Sequence, residues 1–125
     1  MRMGGVFLAV LVILCSACVH HAPPVAASPK IELNLAQLDN DGLRGPPGGK
    51  VSLSYEFSIP NTEKCRGAVK AIDPSIQFMP GSAGRMGAGK GECLCIGTTG
   101  KGYRDTLRRL AALPFVKRII ECHFE

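Results

Sequence analysis

The most constraining feature of this chain is a run of alternating residues near the middle of the sequence. From Val51 to Ile59, apolar side chains alternate with polar ones. The apolar positions are Val51, Leu53, Tyr55, Phe57 and Ile59, and the polar positions are Ser52, Ser54, Glu56 and Ser58. Successive side chains of a β-strand point to opposite faces, so the pattern predicts a strand with one buried and one open face. The chain must therefore form a sheet that is packed on one side.

Two helices and three further strands are predicted after this strand. The spacing of Cys65, Val69 and Ile72 predicts a helix over residues 62–72, which Asn61 is placed to cap. The other expected elements are a strand over 76–79, a glycine-rich loop over 81–91, a strand over 92–98, a helix over 103–113 capped by Thr99, and a strand over 116–125. The order β-α-β-β-α-β predicts an α+β fold of the ferredoxin-like kind, a four-stranded antiparallel sheet with two helices on one face.

The N-terminus has the composition of an export signal. Arg2 is the only charge before the apolar run from Val6 to Leu14, and small residues follow that run. The run is too short for a permanent span, because crossing a hydrocarbon layer of ~30 Å takes about 20 apolar residues. Residues 1–17 are therefore expected to be a signal peptide.

The end of this segment, Ser16-Ala17-Cys18, resembles the lipobox of bacterial lipoprotein precursors, with Cys15 at a position that is usually aliphatic. The resemblance implies cleavage before Cys18 and lipidation of that cysteine. The protein would then be anchored to a membrane of the bacterial cell envelope, facing the periplasm or the exterior, and it would be secreted if it carries no lipid. Residues 18–29 are interpreted as a flexible tether, residues 30–49 as an edge segment with a turn-rich loop, and residues 50–125 as the ferredoxin-like domain.

Composition and motifs argue against several classes of partner. The net charge of +5 falls short of a polybasic nucleic-acid binder, and the absence of Trp removes the usual platform for stacking bases. The segment from Gly84 to Lys90 matches most of a phosphate loop, but Gly91 stands where Ser or Thr would bind magnesium, and a strand follows instead of a helix. We expect no nucleic acid, no nucleotide and no cofactor.

Four cysteines lie in the predicted domain: Cys65, Cys93, Cys95 and Cys122. In an oxidising compartment they can form disulfides, with three possible pairings, or remain thiols. If Leu94 and Ile96 pack under the helices, Cys93 and Cys95 lie on the open face of the sheet, while Cys65 and Cys122 point to the core. A thiol-based metal or redox module using Cys93 and Cys95 is the alternative function. We assign no metal site, since in this fold the third and fourth strands lie about 9–10 Å apart, whereas Zn–S and Zn–N bonds measure ~2.0–2.3 Å.

The segment from Leu110 to Glu121 resembles the closing helix and strand of the subtilisin-propeptide and inhibitor family. The resemblance covers about the last quarter of the chain. It implies a domain that packs its sheet on a protease and places its C-terminal tail in the substrate cleft.

The sequence favours binding over catalysis. It shows no Ser-His-Asp set, and His123 is the only histidine of the predicted domain, so we do not expect an enzyme. The expected function is that of a small module that binds an envelope or extracellular protein, in an inhibitor-like or immunity-like role. The candidate contact residues are Ser54, Glu56, Arg104, Arg108 and His123.

Overall fold

The computed structural model describes residues 28–123, so the predicted signal peptide, Cys18 and most of the predicted tether lie outside the described residues. The strands are β1 (Ile31–Glu32), β2 (Leu43–Arg44), β3 (Val51–Ser52), β4 (Ser54–Pro60), β5 (Gln77–Met79), β6 (Glu92–Thr98) and β7 (Ile119–Glu121). The helices are α1 (Glu63–Ile72) and α2 (Tyr103–Ala111), with a short 3-10 helix at Leu35–Gln37. Neither α1 nor α2 has the length and apolar character needed to cross a membrane.

The main sheet has five strands in the order β1-β7-β4-β6-β5. Strand β4 is central and pairs antiparallel with both β6 and β7. Strand β1 pairs parallel with β7, so the sheet is mixed and not the purely antiparallel four-stranded sheet that was predicted. A separate two-stranded sheet joins β2 to β3. The α+β class is confirmed.

The alternating run from Val51 to Ile59 is two strands instead of one, with Leu53 between them. The Leu53 N–H donates to Thr99 Oγ1 at 2.9 Å, and the Leu53 carbonyl accepts from the Thr99 N–H at 2.8 Å. Thr99 also donates its hydroxyl to the Gly42 carbonyl at 2.6 Å. Because β3 turns away to pair with β2, Val51 is 59% exposed, which contradicts its predicted burial.

The helix caps differ from those predicted. Thr62, not Asn61, caps α1, since its hydroxyl accepts from the Cys65 N–H at 3.2 Å. Thr99 does not cap α2 because its hydroxyl is occupied by the contacts described above. The N-cap of α2 is Gly102, whose φ of +76° places it in the left-handed region that glycine adopts without strain.

The core lies between the helices and one face of the sheet, and it matches large residues on β4 with small residues on β6. The cross-strand pairs on this face are Tyr55 with Gly97, Phe57 with Cys95, and Ile59 with Cys93. The Tyr55 ring lies directly over Gly97, where a Cβ would come within 2.4 Å of the ring. The predicted faces of β6 are therefore wrong: Cys93 and Cys95 are fully buried under the helices, and Leu94 and Ile96 lie on the opposite face.

Candidate functional site

The glycine-rich segment of residues 81–91 folds over the sheet face that the helices leave open, and we call this segment the strap. Gly84 makes the closest approach: a Cβ at this position would lie 2.7 Å from Glu56 Oε2 and 2.8 Å from a Leu94 methyl. Its φ is +59°, which side chains rarely adopt. Gly84 therefore allows the strap backbone to pack directly on the sheet.

Glu56 lies on the open face of β4 and is covered by the strap. Its Oε1 accepts a hydrogen bond from the Met86 N–H at 2.8 Å, and only 1% of the residue is exposed. Its cross-strand neighbours are Ile96 and Ile120, so the carboxylate has apolar residues on both sides. Among residues 28–123, no basic side chain forms an ion pair with Glu56. Glu56 lies on the open face of the sheet, as the alternating pattern predicts. Its predicted exposure to solvent is wrong, because the strap covers the side chain.

Beside the strap, the open sheet face forms a cleft of about 770 Å³. The lining residues come from β4, β5, the strap, β6 and the chain that follows β7: Glu56, Met79, Ser82, Gly84, Arg85, Leu94, Ile96, Cys122 and His123. Met79 is 41% exposed, which is unusual for a large apolar side chain in this molecule. The cleft thus combines an apolar floor with ionisable groups at its margin.

Cys122 lies on the cleft side of the sheet, not on the core side as predicted. Burial raises the pKa of its thiol, and the charge and hydrogen bonding of Glu56 raise the pKa further, whereas the charge of Arg85 acts in the opposite direction. The thiol is therefore protonated at neutral pH. A protonated thiol is a weak nucleophile and a weak metal ligand.

The acidic residue at the end of β7, Glu121, does not line the cleft and forms an ion pair within the fold. The guanidinium of Arg44 forms an ion pair with its carboxylate and holds the pKa of Glu121 below its usual value. His123 Nε2 lies 3.9 Å from Glu121 Oε2, which is too long for a hydrogen bond. The positive charge of Arg85 also lowers the pKa of Glu121 and is the smallest of the causes.

Of the five predicted contact residues, Glu56 and His123 meet in the cleft. Ser54 does not line it, although its carbonyl accepts from the Cys122 N–H at 2.8 Å. Arg104 and Arg108 lie on α2, in the layer that covers the other face of the sheet. There Arg104 lies over the Tyr103 ring at 4.9 Å, and Arg108 pairs with Asp105.

Sequence reasoning missed Arg85 and Met79, which the chain brings to the cleft from the strap and from β5. The one sequence feature that could have indicated their positions is the length of the glycine-rich segment between the two strands. Such a segment is long enough to fold back across a sheet, but its composition does not reveal where it lands.

Of the two alternatives for the four cysteines of the domain, disulfides or thiols, the structure has thiols: Cys65, Cys93, Cys95 and Cys122 are all free. Burial is the main cause of the raised pKa of Cys95, and the neighbouring Cys93 adds to it. Between residues 28 and 123, no three His, Cys, Asp or Glu side chains are arranged to hold a metal ion.

No protein family, curated protein or solved structure matches this chain.

Proposed function

We propose that this protein is a small binding module that recognises another protein through the cleft. One observation carries the proposal: the open sheet face is shaped by the strap into a cleft of about 770 Å³, within the usual size range of ligand sites. Its floor includes the apolar side chains of Leu94 and Ile96, and Met79 is an exposed apolar anchor at one side. Exposed apolar surface with a polar margin is typical of protein interaction sites.

The proposal includes a finer description of the fold. We infer that β4, α1, β5, β6, α2 and β7 form a ferredoxin-like unit, to which β1 adds a fifth strand at one edge. The order β7-β4-β6-β5 supports this inference, because it is the strand order 4-1-3-2 of that fold. The helices cover one face in this arrangement, and the other face is left for binding.

We also propose that the protein is exported and tethered to the bacterial cell envelope by a lipid on Cys18, or secreted if that cysteine is not lipidated. The support is the apolar segment that ends at Ser16-Ala17-Cys18. The intact mass of the exported protein tests this proposal. A diacyl or triacyl addition on Cys18 is expected, and an unmodified N-terminal cysteine would leave a secreted protein.

The expected partner is an envelope or extracellular protein, and an inhibitor-like or immunity-like role is one form of this function. A catalytic role would rest on His123, and the sequence offers no Ser-His-Asp set around it. The thiol alternative at Cys93 and Cys95 has little support either, since both side chains are inaccessible under the helices.

Site-specific crosslinking tests the binding function. A photoreactive benzophenone side chain replaces Ser82, which lines the cleft, and in a matched control it replaces Lys64, which is exposed on α1. We expect a discrete crosslinked protein from position 82 in envelope preparations and none from position 64. No adduct at position 82, or the same adducts from both positions, would contradict binding at the cleft.

A further inference from the structure

The ionisable groups around the cleft are not equally available to a partner. Glu121 is paired with Arg44, and Glu56 is covered by the strap and accepts the Met86 N–H. Arg85 is exposed and, among residues 28–123, forms neither an ion pair nor a side-chain hydrogen bond. The cleft therefore offers donors from Arg85 and His123, while Glu56, the one acidic residue among its lining residues, already accepts a hydrogen bond.

The apolar part of the cleft lies within reach of these donors. Ile96 is half-buried on the floor, and Met79 is exposed at the β5 edge. An arginine guanidinium recognises carboxylates by paired hydrogen bonds, and an apolar side chain gains free energy by covering exposed apolar surface. The formal net charge of +5, which becomes +4 when Arg2 leaves with residues 1–17, also favours the approach of an acidic partner.

We propose that the cleft takes a short segment of the partner in which an acidic side chain lies next to an apolar one. The carboxylate pairs with Arg85, with His123 as a second donor, and the apolar side chain packs on Ile96 and Met79. This inference rests on the proposed function, because it names the chemistry of the segment that the cleft recognises.

Blocked tripeptides provide the probe. Leu-Glu-Leu is compared with its neutral analogue Leu-Gln-Leu by titration into the exported protein, with the backbone amides of Ile96 and Cys122 followed by NMR. We expect saturable shifts with both peptides and a preference of about three- to fivefold for the glutamate peptide, the size of one partly exposed ion pair. The Arg85→Gln variant should bind the two peptides equally.

The matched control is Lys90→Gln, which removes the same charge from an exposed position of the strap that does not line the cleft. This variant should keep the preference, because charge removed at a distance is screened by salt. A preference that persists in Arg85→Gln, or that is lost equally in Lys90→Gln, would overturn the proposal. Tighter binding of Leu-Lys-Leu would also overturn it.

The result of the peptide titration can be distinguished from that of the crosslinking experiment. If a partner crosslinks at position 82 while the protein shows no preference for the glutamate peptide, the binding function stays in place. That result would overturn only the proposed recognition of an acidic side chain. Absence of both results would remove the binding function as well.

Discussion

Glu56 and Gly84 determine the shape of the cleft at the level of single residues. A buried carboxylate is unfavourable unless hydrogen bonds compensate for the lost hydration. Here the Met86 N–H provides such a bond, and Gly84 allows the strap to approach closely enough to form it. The interaction has two effects, since it holds the strap on the sheet and excludes water from the carboxylate.

Replacing Glu56 with Ala should release the strap. The Met86 N–H loses its acceptor, and the loss of a buried hydrogen bond to a charged group costs about 1.5–3 kcal/mol. We expect faster hydrogen exchange at the Met86 amide and faster trypsin cleavage after Arg85. Glu63→Ala is the control, because Glu63 is exposed on α1. Unchanged cleavage in Glu56→Ala would show that other contacts hold the strap.

The sequence predicted the side of β4 on which Glu56 lies but not its burial. Alternation is a local property, and it assigns Glu56 to the face opposite Tyr55 and Phe57. Burial depends on the strap, whose Met86 follows Glu56 by 30 positions, and the strap carries no sequence pattern that fixes where it packs. Arg85 was missed for the same reason, because its role depends on the position of the strap.

At the level of elements, the packing of β4 against β6 depends on residue size. Tyr55 and Phe57 are large, and their partners Gly97 and Cys95 are small. The boundaries of β6 were predicted correctly at Glu92–Thr98, yet its two faces were assigned in reverse. Both faces of β6 are apolar, so alternation could not distinguish them, and only the size of the residues on β4 decides which set fits under the helices.

Replacing Gly97 with Ala should therefore destabilise the protein. The added methyl group would lie 2.4 Å from the Tyr55 ring, which has no room to move because it is fully buried. Overpacking of this kind costs about 1–3 kcal/mol. We expect a lower midpoint of urea unfolding than for Gly89→Ala, whose added methyl group meets no atom within 4 Å. Equal midpoints would contradict the size-matched packing.

At the level of the whole molecule, the order of the long elements was predictable, but the two-residue strands were not. Strands β1, β2 and β3 are too short to show a period in sequence. Their positions depend on contacts made elsewhere, such as the parallel pairing of Ile31 with Ile119. The predicted edge strand is thus present only as β1, while Leu33 and Leu35 pack against the core from outside the sheet.

The buried ionisable groups predict a loss of stability at alkaline pH. Burial raises the pKa of Tyr55 and of Cys95 above their ordinary values of 10.0 and 9.0. In the unfolded chain these groups ionise at the ordinary values, whereas in the folded state they remain protonated. The free energy of unfolding should therefore be at its full value below pH 9 and decrease as the pH rises.

Urea unfolding followed by circular dichroism between pH 7 and pH 11 measures this decrease. Cys95→Ala should reduce the decrease that begins near pH 9, because it removes one of the raised groups. Cys65→Ala is the control, since Cys65 is only half-buried. The same pH dependence in Cys95→Ala as in the original protein would contradict the prediction.

The parallel pairing of β1 with β7 has a mechanical consequence. Any pulling force transmitted through the chain before Ser28 enters the domain at β1, whose ladder to β7 spans only two residues on each strand. The neighbouring attachments are the Arg118–Glu32 ion pair, the hydrogen bonds from the Ile119 N–H to the Lys30 carbonyl and from Lys30 to the Leu113 carbonyl, and the packing of nearby leucines against the core. Under load, β1 should detach before the central pairing of β4 with β6 is strained. The short edge strand would thus yield first under force. Its detachment would lengthen the chain segment that precedes the domain, while the strap and the cleft keep their shape.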